Sequence, residues 1–155
     1  MLEKLGFTNV QAVISSGNVV FESQSKDAKV LEDLIENAWP EQLGFTSTTI
    51  IRSREELLDL IAKNPFKGLE HNRQNYLIVT FFKNKPEAKF EFPYQPENKS
   101  YKLLGLYDRA ICSVVDTSAT KTPDVMAWLE RQFGKQITTR TYKTVHRILK
   151  KMDDT

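Results

Sequence analysis

Seven consecutive residues, Tyr76-Leu-Ile-Val-Thr-Phe-Phe82, are apolar at nearly every position. A run that short, rich in β-branched and aromatic side chains, reads as a central strand buried on both faces. Such a strand needs neighbours, and the residues after it supply them. Strands near Tyr101 to Leu106 and Ala110 to Val115 flank a turn at Tyr107-Asp108. Thr122 then reads as a helix cap with Pro123 at the first position. Val125, Met126, Leu129 and Phe133 give that helix its buried side, and Gly134 closes it. Residues 83 to 100, with three of the six prolines, carry no legible period.

The first half has a similar grammar. Val10-Gln-Ala-Val-Ile-Ser-Ser-Gly-Asn-Val-Val-Phe-Glu-Ser23 reads as a β-hairpin, with Gly17-Asn18 as a two-residue turn. That register pairs Ser16 with Val19, Ile14 with Phe21 and Ala12 with Ser23, and puts Ala12, Ile14, Val19 and Phe21 on the core face. Val30, Leu31, Leu34, Ile35, Ala38 and Trp39 recur at helical spacing, with Pro40 late in the run and Leu43-Gly44 as its stop. Thr46 to Arg52 is β-branched enough for a strand. Ser53-Arg-Glu-Glu56 is a capping box for a helix whose apolar face is Leu57, Leu58 and Ile61 and which ends at Asn64-Pro65.

The halves align as repeats at an offset of 90 positions, which carries Gly17-Asn18 onto Tyr107-Asp108 and Leu43-Gly44 onto Phe133-Gly134. Thr48-Thr49 falls on Thr138-Thr139, and Leu58 on Ile148. Each half then runs strand, helix, hairpin, helix, strand, with a trailing helix. The expected fold is α+β, made of tandem ferredoxin-like (α/β plait) repeats. Residues 1–66 form the first repeat, 67–74 a polar linker, and 75–155 the second repeat with a C-terminal helix. The counterpart of Tyr76 to Phe82 falls upstream of Met1, so the first repeat lacks its opening strand. An internal start at Met1, or a chain shortened at its beginning, is the favoured expectation; another segment or another chain supplying the strand is the alternative.

Several of these stretches resemble the DUF1697 family of bacterial proteins of unknown function. They are Leu5-Gly-Phe-Thr-Asn-Val10, Ser15-Ser-Gly-Asn-Val-Val-Phe-Glu-Ser23 and Asn64-Pro-Phe66 in the first half. In the second half they are Pro123-Asp-Val-Met-Ala-Trp-Leu-Glu-Arg-Gln-Phe-Gly-Lys135 and Ile137-Thr-Thr-Arg-Thr-Tyr-Lys-Thr-Val145. The resemblance implies a tandem α/β plait and brings no activity or cofactor with it. It also implies an opening strand and an Arg-Gly-Ile-Asn-Val-Gly-Gly-like loop, neither of which is in this chain.

Composition narrows the function classes. With 40% apolar and 27% charged residues, the chain is too apolar for disorder. The 22 basic and 20 acidic residues nearly cancel, so bulk charge selects no partner. Cys112 is the only cysteine, which excludes an internal disulfide and a cysteine-cluster metal site and points to a reducing cytoplasm. No run approaches the roughly 18 apolar residues a membrane span needs, and residues 1 to 6 lack a signal peptide's apolar core.

Local charge says more. Gln136 to Met152 holds no acidic residue but carries Arg140, Lys143, His146, Arg147, Lys150 and Lys151. If Thr144 to Met152 is helical, Val145, Ile148, Leu149 and Met152 are its buried stripe. Lys143, Arg147, Lys150 and Lys151 then share the opposite face, suited to phosphates or an acidic partner. An ordinary solvated helix face has the same pattern. Thr138, Thr139 and Arg140 could hold an anion with Arg140 as the clamp, or line an edge strand. Ser15, Ser16 and Asn18 offer polar groups at a hairpin tip. No motif gives either serine the positioned base that a nucleophile requires, and turn chemistry is the preferred explanation.

His71 and His146 lack zinc-ligand spacing, and His71 reads as a solvated linker residue. Trp39 and Trp128 sit at core spacing. There is no Walker loop and no dinucleotide fingerprint, and so no implied cofactor. The preferred expectation is a non-enzymatic module that binds an anionic ligand or macromolecular partner through the basic C-terminal segment. Nucleic acid is one such partner, although Tyr142 is the segment's only ring for base stacking. The alternatives are a small-molecule enzyme with a site between the repeats and a homodimeric interaction protein.

Overall fold

A computed structural model describes residues 2–12, 18–24, 27–43, 49–97 and 99–153, without the side chains of residues 39 and 41–43. The described elements are β1 (Thr8–Ala12), β2 (Val19–Glu22), α1 (Ala28–Leu43), α2 (Arg54–Ala62), β3 (Tyr76–Phe82), β4 (Tyr101–Tyr107), β5 (Ala110–Val115), α3 (Thr122–Phe133), β6 (Ile137–Thr141) and α4 (Tyr142–Asp153). The protein is α+β, with two antiparallel sheets: β1-β2, and four strands in the order β4-β5-β3-β6. Two compact units divide the chain. One joins residues 1–59 with 143–155, and the other is 60–142. None of the described helices is long and apolar enough to cross a membrane.

In the second unit β3 pairs with β5 along one edge and with β6 along the other. Its alternation buries both faces, as the sequence requires. Ile78 and Phe82 join Leu103, Ile111 and Val115 under Val125, Trp128 and Leu129 of α3. On the opposite face Leu77, Val79, Phe81, Ala110 and Cys112 are buried. Tyr107 faces Ala110, so the β4–β5 turn is Asp108-Arg109, with Asp108 at φ 55°. Lys121, not Thr122, occupies the cap position of α3, and Met126 is 38% exposed. Trp128 takes its place in the core because Phe90, Tyr94 and Tyr101 widen the apolar surface on that side.

A plait-like repeat places a helix between its first two strands, and here residues 83–97 and 99–100 contain none. Rings hold the segment instead. Phe90 stacks on Tyr94 at 3.9 Å, and Tyr94 exchanges two 2.8 Å backbone hydrogen bonds with Leu103. The 67–74 stretch is pinned as well. Asn72 Oδ1 accepts from the Gln74 and Asn75 amides, and His71 Nδ1 accepts from Leu77 N at 3.1 Å. His71 also meets Tyr76 edge-on at 4.8 Å, so it is not simply solvated.

In the first unit the hairpin register differs from the expected one. Ala12 faces Val19 and Gln11 faces Val20, where the expected register set Ala12 against Ser23; the expected turn residue Gly17 lies outside the described residues. The pairing is displaced by four residues at Gln11 and Ala12 and by five at Thr8, with a register shift between Thr8 and Gln11. A bulge sets it: Asn9 takes φ 51° and donates to Glu22 at 2.7 Å, while Phe21 packs on Phe7 at 4.5 Å. Val20 is buried and Val19 is 46% exposed, opposite to expectation for both.

Helix α1 starts where Asp27 Oδ1 accepts from the Lys29 and Val30 amides. It buries Leu31, Ile35, Ala38 and Glu32 while exposing Val30 and Leu34. The Trp39 side chain lies outside the described residues, as do Ile14, Gly17 and Gly44. Of the strand expected over Thr46 to Arg52, residues 49–52 enter no ladder. Carboxylates take their amides: Thr49 N donates to Glu36 at 2.7 Å and Ile51 N to Glu32 at 2.8 Å. The capping box forms as read, with Glu56 N to Ser53 Oγ at 3.1 Å and Ser53 N to Glu56 at 3.2 Å.

The fully buried Leu129 is a sensitive probe of the second unit. Leu129→Ala should cost about 2–5 kcal/mol in urea unfolding, whereas Met126→Ala, on the exposed side, should stay within about 0.5 kcal/mol.

Candidate functional site

Helix α4 follows β6 directly, at Tyr142, and carries the basic residues singled out in the sequence. Val145 and Leu149 are buried, and Ile148 and Met152 are partly so. Lys143, Arg147 and Lys150 are exposed, and Lys151 is half-exposed. Residues three and four apart are neighbours on a helix, so Lys143, Arg147 and Lys150 form a row along one side. The one acid of α4, Asp153, is held by Arg54 Nε at 2.8 Å. Arg54 and Asp153 are 99 positions apart, and no local pattern connects them.

The Thr138–Arg140 group lies on β6. Arg140 donates to Thr138 Oγ1 at 2.6 Å and to Thr139 O at 2.9 Å. Thr139 and Thr80 share a hydroxyl hydrogen bond of 2.9 Å across the β3–β6 ladder. Burial lowers the Arg140 pKa from its ordinary value. Tyr142 packs on Phe66 with ring centroids 4.6 Å apart. Burial raises its phenol pKa, with a smaller contribution from Cys112.

Asn18 is half-buried at the start of β2, and Ser15 and Ser16 lie outside the described residues. No group of three or more His, Cys, Asp or Glu side chains able to hold a metal occurs among the described residues. A buried charged group escaped the sequence reading. The Glu32 side chain is fully buried, 4.0 Å from Arg52, whose Nε lies 3.8 Å from Glu56. Its position beside Leu31, one turn before Ile35, was the available signal.

A family model described as a protein of unknown function (DUF1697) matches residues 1–111. The chain belongs to the DUF1697 family. No curated protein matches it, and no solved structure does. The matched residues end within β5, so α3, β6 and the basic side of α4 lie beyond them. Membership therefore carries no statement about those cations.

Cys112 is free and buried, and burial pushes its thiol from 9.0 up to about 12. The native thiol should resist a disulfide reagent at pH 8 and react once the chain unfolds in urea. Between about 9 and 12 the unfolded chain loses this proton while the folded one keeps it, so stability should fall as pH rises through that window. Cys112→Ala should lessen the decline in urea titrations.

Proposed function

We propose that this protein is a binding module that holds a polyanionic partner along the exposed side of α4. The sidedness of that helix carries the reading. Lys143, Arg147 and Lys150 stand exposed while Val145 and Leu149 are buried, and the only acid of α4 is already paired with Arg54. Lys150 and Lys151 suit the negative end of a helix dipole, but Lys143 sits in the first turn, where the dipole disfavours a cation. Helix stability thus accounts for the last two cations and not for Lys143. Tyr142 is engaged with Phe66, which leaves phosphate contacts rather than base stacking as the means of recognition.

The strand order supports a finer architectural reading. Antiparallel strands in the order β4-β5-β3-β6, with α3 between β5 and β6, match the order of an α/β plait in which residues 83–97 and 99–100 stand where its first helix would be, and this supports the reading. The first unit offers α1 and α2 as counterparts of α3 and α4, which supports the tandem arrangement with repeats at 1–66 and 75–155. A buried free thiol is suited to a reducing cytoplasm.

Anisotropy of a labelled duplex oligonucleotide should show binding in low salt that weakens as salt rises. A log–log slope of about −3 is expected for three to four neutralised phosphates. Lys143→Glu with Arg147→Glu should weaken binding at least tenfold without changing the urea midpoint. No binding in low salt, or binding that survives the double reversal, would overturn the reading.

A further inference from the structure

Five residues of α4 stand exposed: Lys143, His146, Arg147, Lys150 and Asp153. At the rotation of an α-helix the first four fall within an arc of about 100°. His146 lies about 4.5 Å along the axis from Lys143 and about 6 Å from Lys150. Residues three and four apart are neighbours on a helix surface, so the ring stands beside both lysines. An anion that spans Lys143 to Lys150 therefore lies beside His146 as well.

The ring differs from its neighbours in one respect. Lysine and arginine keep their charge around neutral pH, whereas histidine is the side chain whose charge ordinarily changes between pH 5 and 8. The charged groups around it stay as they are across that window. Lys143, Arg147, Lys150 and Lys151 share its helix, and Asp153 is held by Arg54 of α2 at 2.8 Å. Burial raises the phenol of Tyr142, one turn before His146, so that it stays neutral.

We propose that His146 couples polyanion binding on α4 to the uptake of a proton. The inference rests on the reading of α4 as a polyanion surface and gives that surface its control. A phosphate set against the ring favours the protonated form, because an opposite charge at contact distance stabilises it. Proton and polyanion then raise each other's affinity by the same factor. A proton held more tightly in the complex than in the free chain makes binding tighten as pH falls, and the gain levels off once both forms carry it. Phosphodiesters keep their charge over this range, so the change comes from the protein. The protonated ring is a fourth cation beside Lys143, Arg147 and Lys150.

Anisotropy of the labelled duplex oligonucleotide at pH 8 and pH 5.5 tests the coupling. In low salt, wild-type affinity should rise about threefold or more at the lower pH. The log–log salt slope should steepen by about 0.9, the increment for one further neutralised phosphate. His146→Gln should lose both changes. His146→Lys, charged at either pH, should lose the pH dependence and show the steeper slope already at pH 8. The other histidine, His71, accepts from Leu77 N through Nδ1, and a pH effect arising there would survive His146→Gln. His146 is exposed, so both variants should keep the wild-type circular dichroism at each pH. Wild-type binding with one affinity and one slope at both pH values overturns the coupling and leaves the surface reading standing, as does pH dependence retained by His146→Gln. No binding at either pH in low salt overturns both.

Discussion

The second unit depends on β3 having no free side. Its edges are taken by β5 and β6, and its side chains are buried above and below the sheet. A strand so enclosed fixes what surrounds it: each neighbour must match its register, and each face must be covered by an apolar layer. The β3–β6 ladder runs without a register shift and continues past the strand, where Lys83 N donates to Gln136 O at 3.1 Å. Thr80, the one polar side chain in β3, is tolerated because Thr139 meets it across the ladder.

Elements with strong local signals were legible in the sequence. The apolar run of β3, the capping box at Ser53 and Glu56, and Gly134 closing α3 at φ 90° each carry their cause within a few residues. The features that were not legible depend on partners distant in sequence. The β1–β2 register follows from Phe7 meeting Phe21 and from a bulge at Asn9, which no alternation of apolar residues encodes. Residues 49–53 have strand propensity, but carboxylates from two helices decide what they pair with. Trp128 displaced Met126 from the core because rings from residues 90–101 lie on its side of α3.

The candidate site divides along the same line. The basic row of α4 was readable because helical periodicity alone separates Lys143, Arg147 and Lys150 from Val145 and Leu149. At Thr138–Arg140 the sequence left two readings open, because a hydroxyl-rich strand looks alike whether it faces a ligand or its neighbour. Here the hydroxyls and the guanidinium are used within the sheet.

The segment between β3 and β4 is fastened by rings more than by a ladder. Phe90, Phe92 and Tyr94 lie against a core that includes Tyr101 and Trp128, and Tyr94 makes an isolated β-bridge to Leu103. A helix in that place would tie its length to its packing, since each added residue turns the next side chain by about 100°. A ring-anchored loop separates the two. Residues can be gained or lost between the anchors while the rings keep their seats, so drift among relatives should appear there as changes in length around a fixed aromatic set.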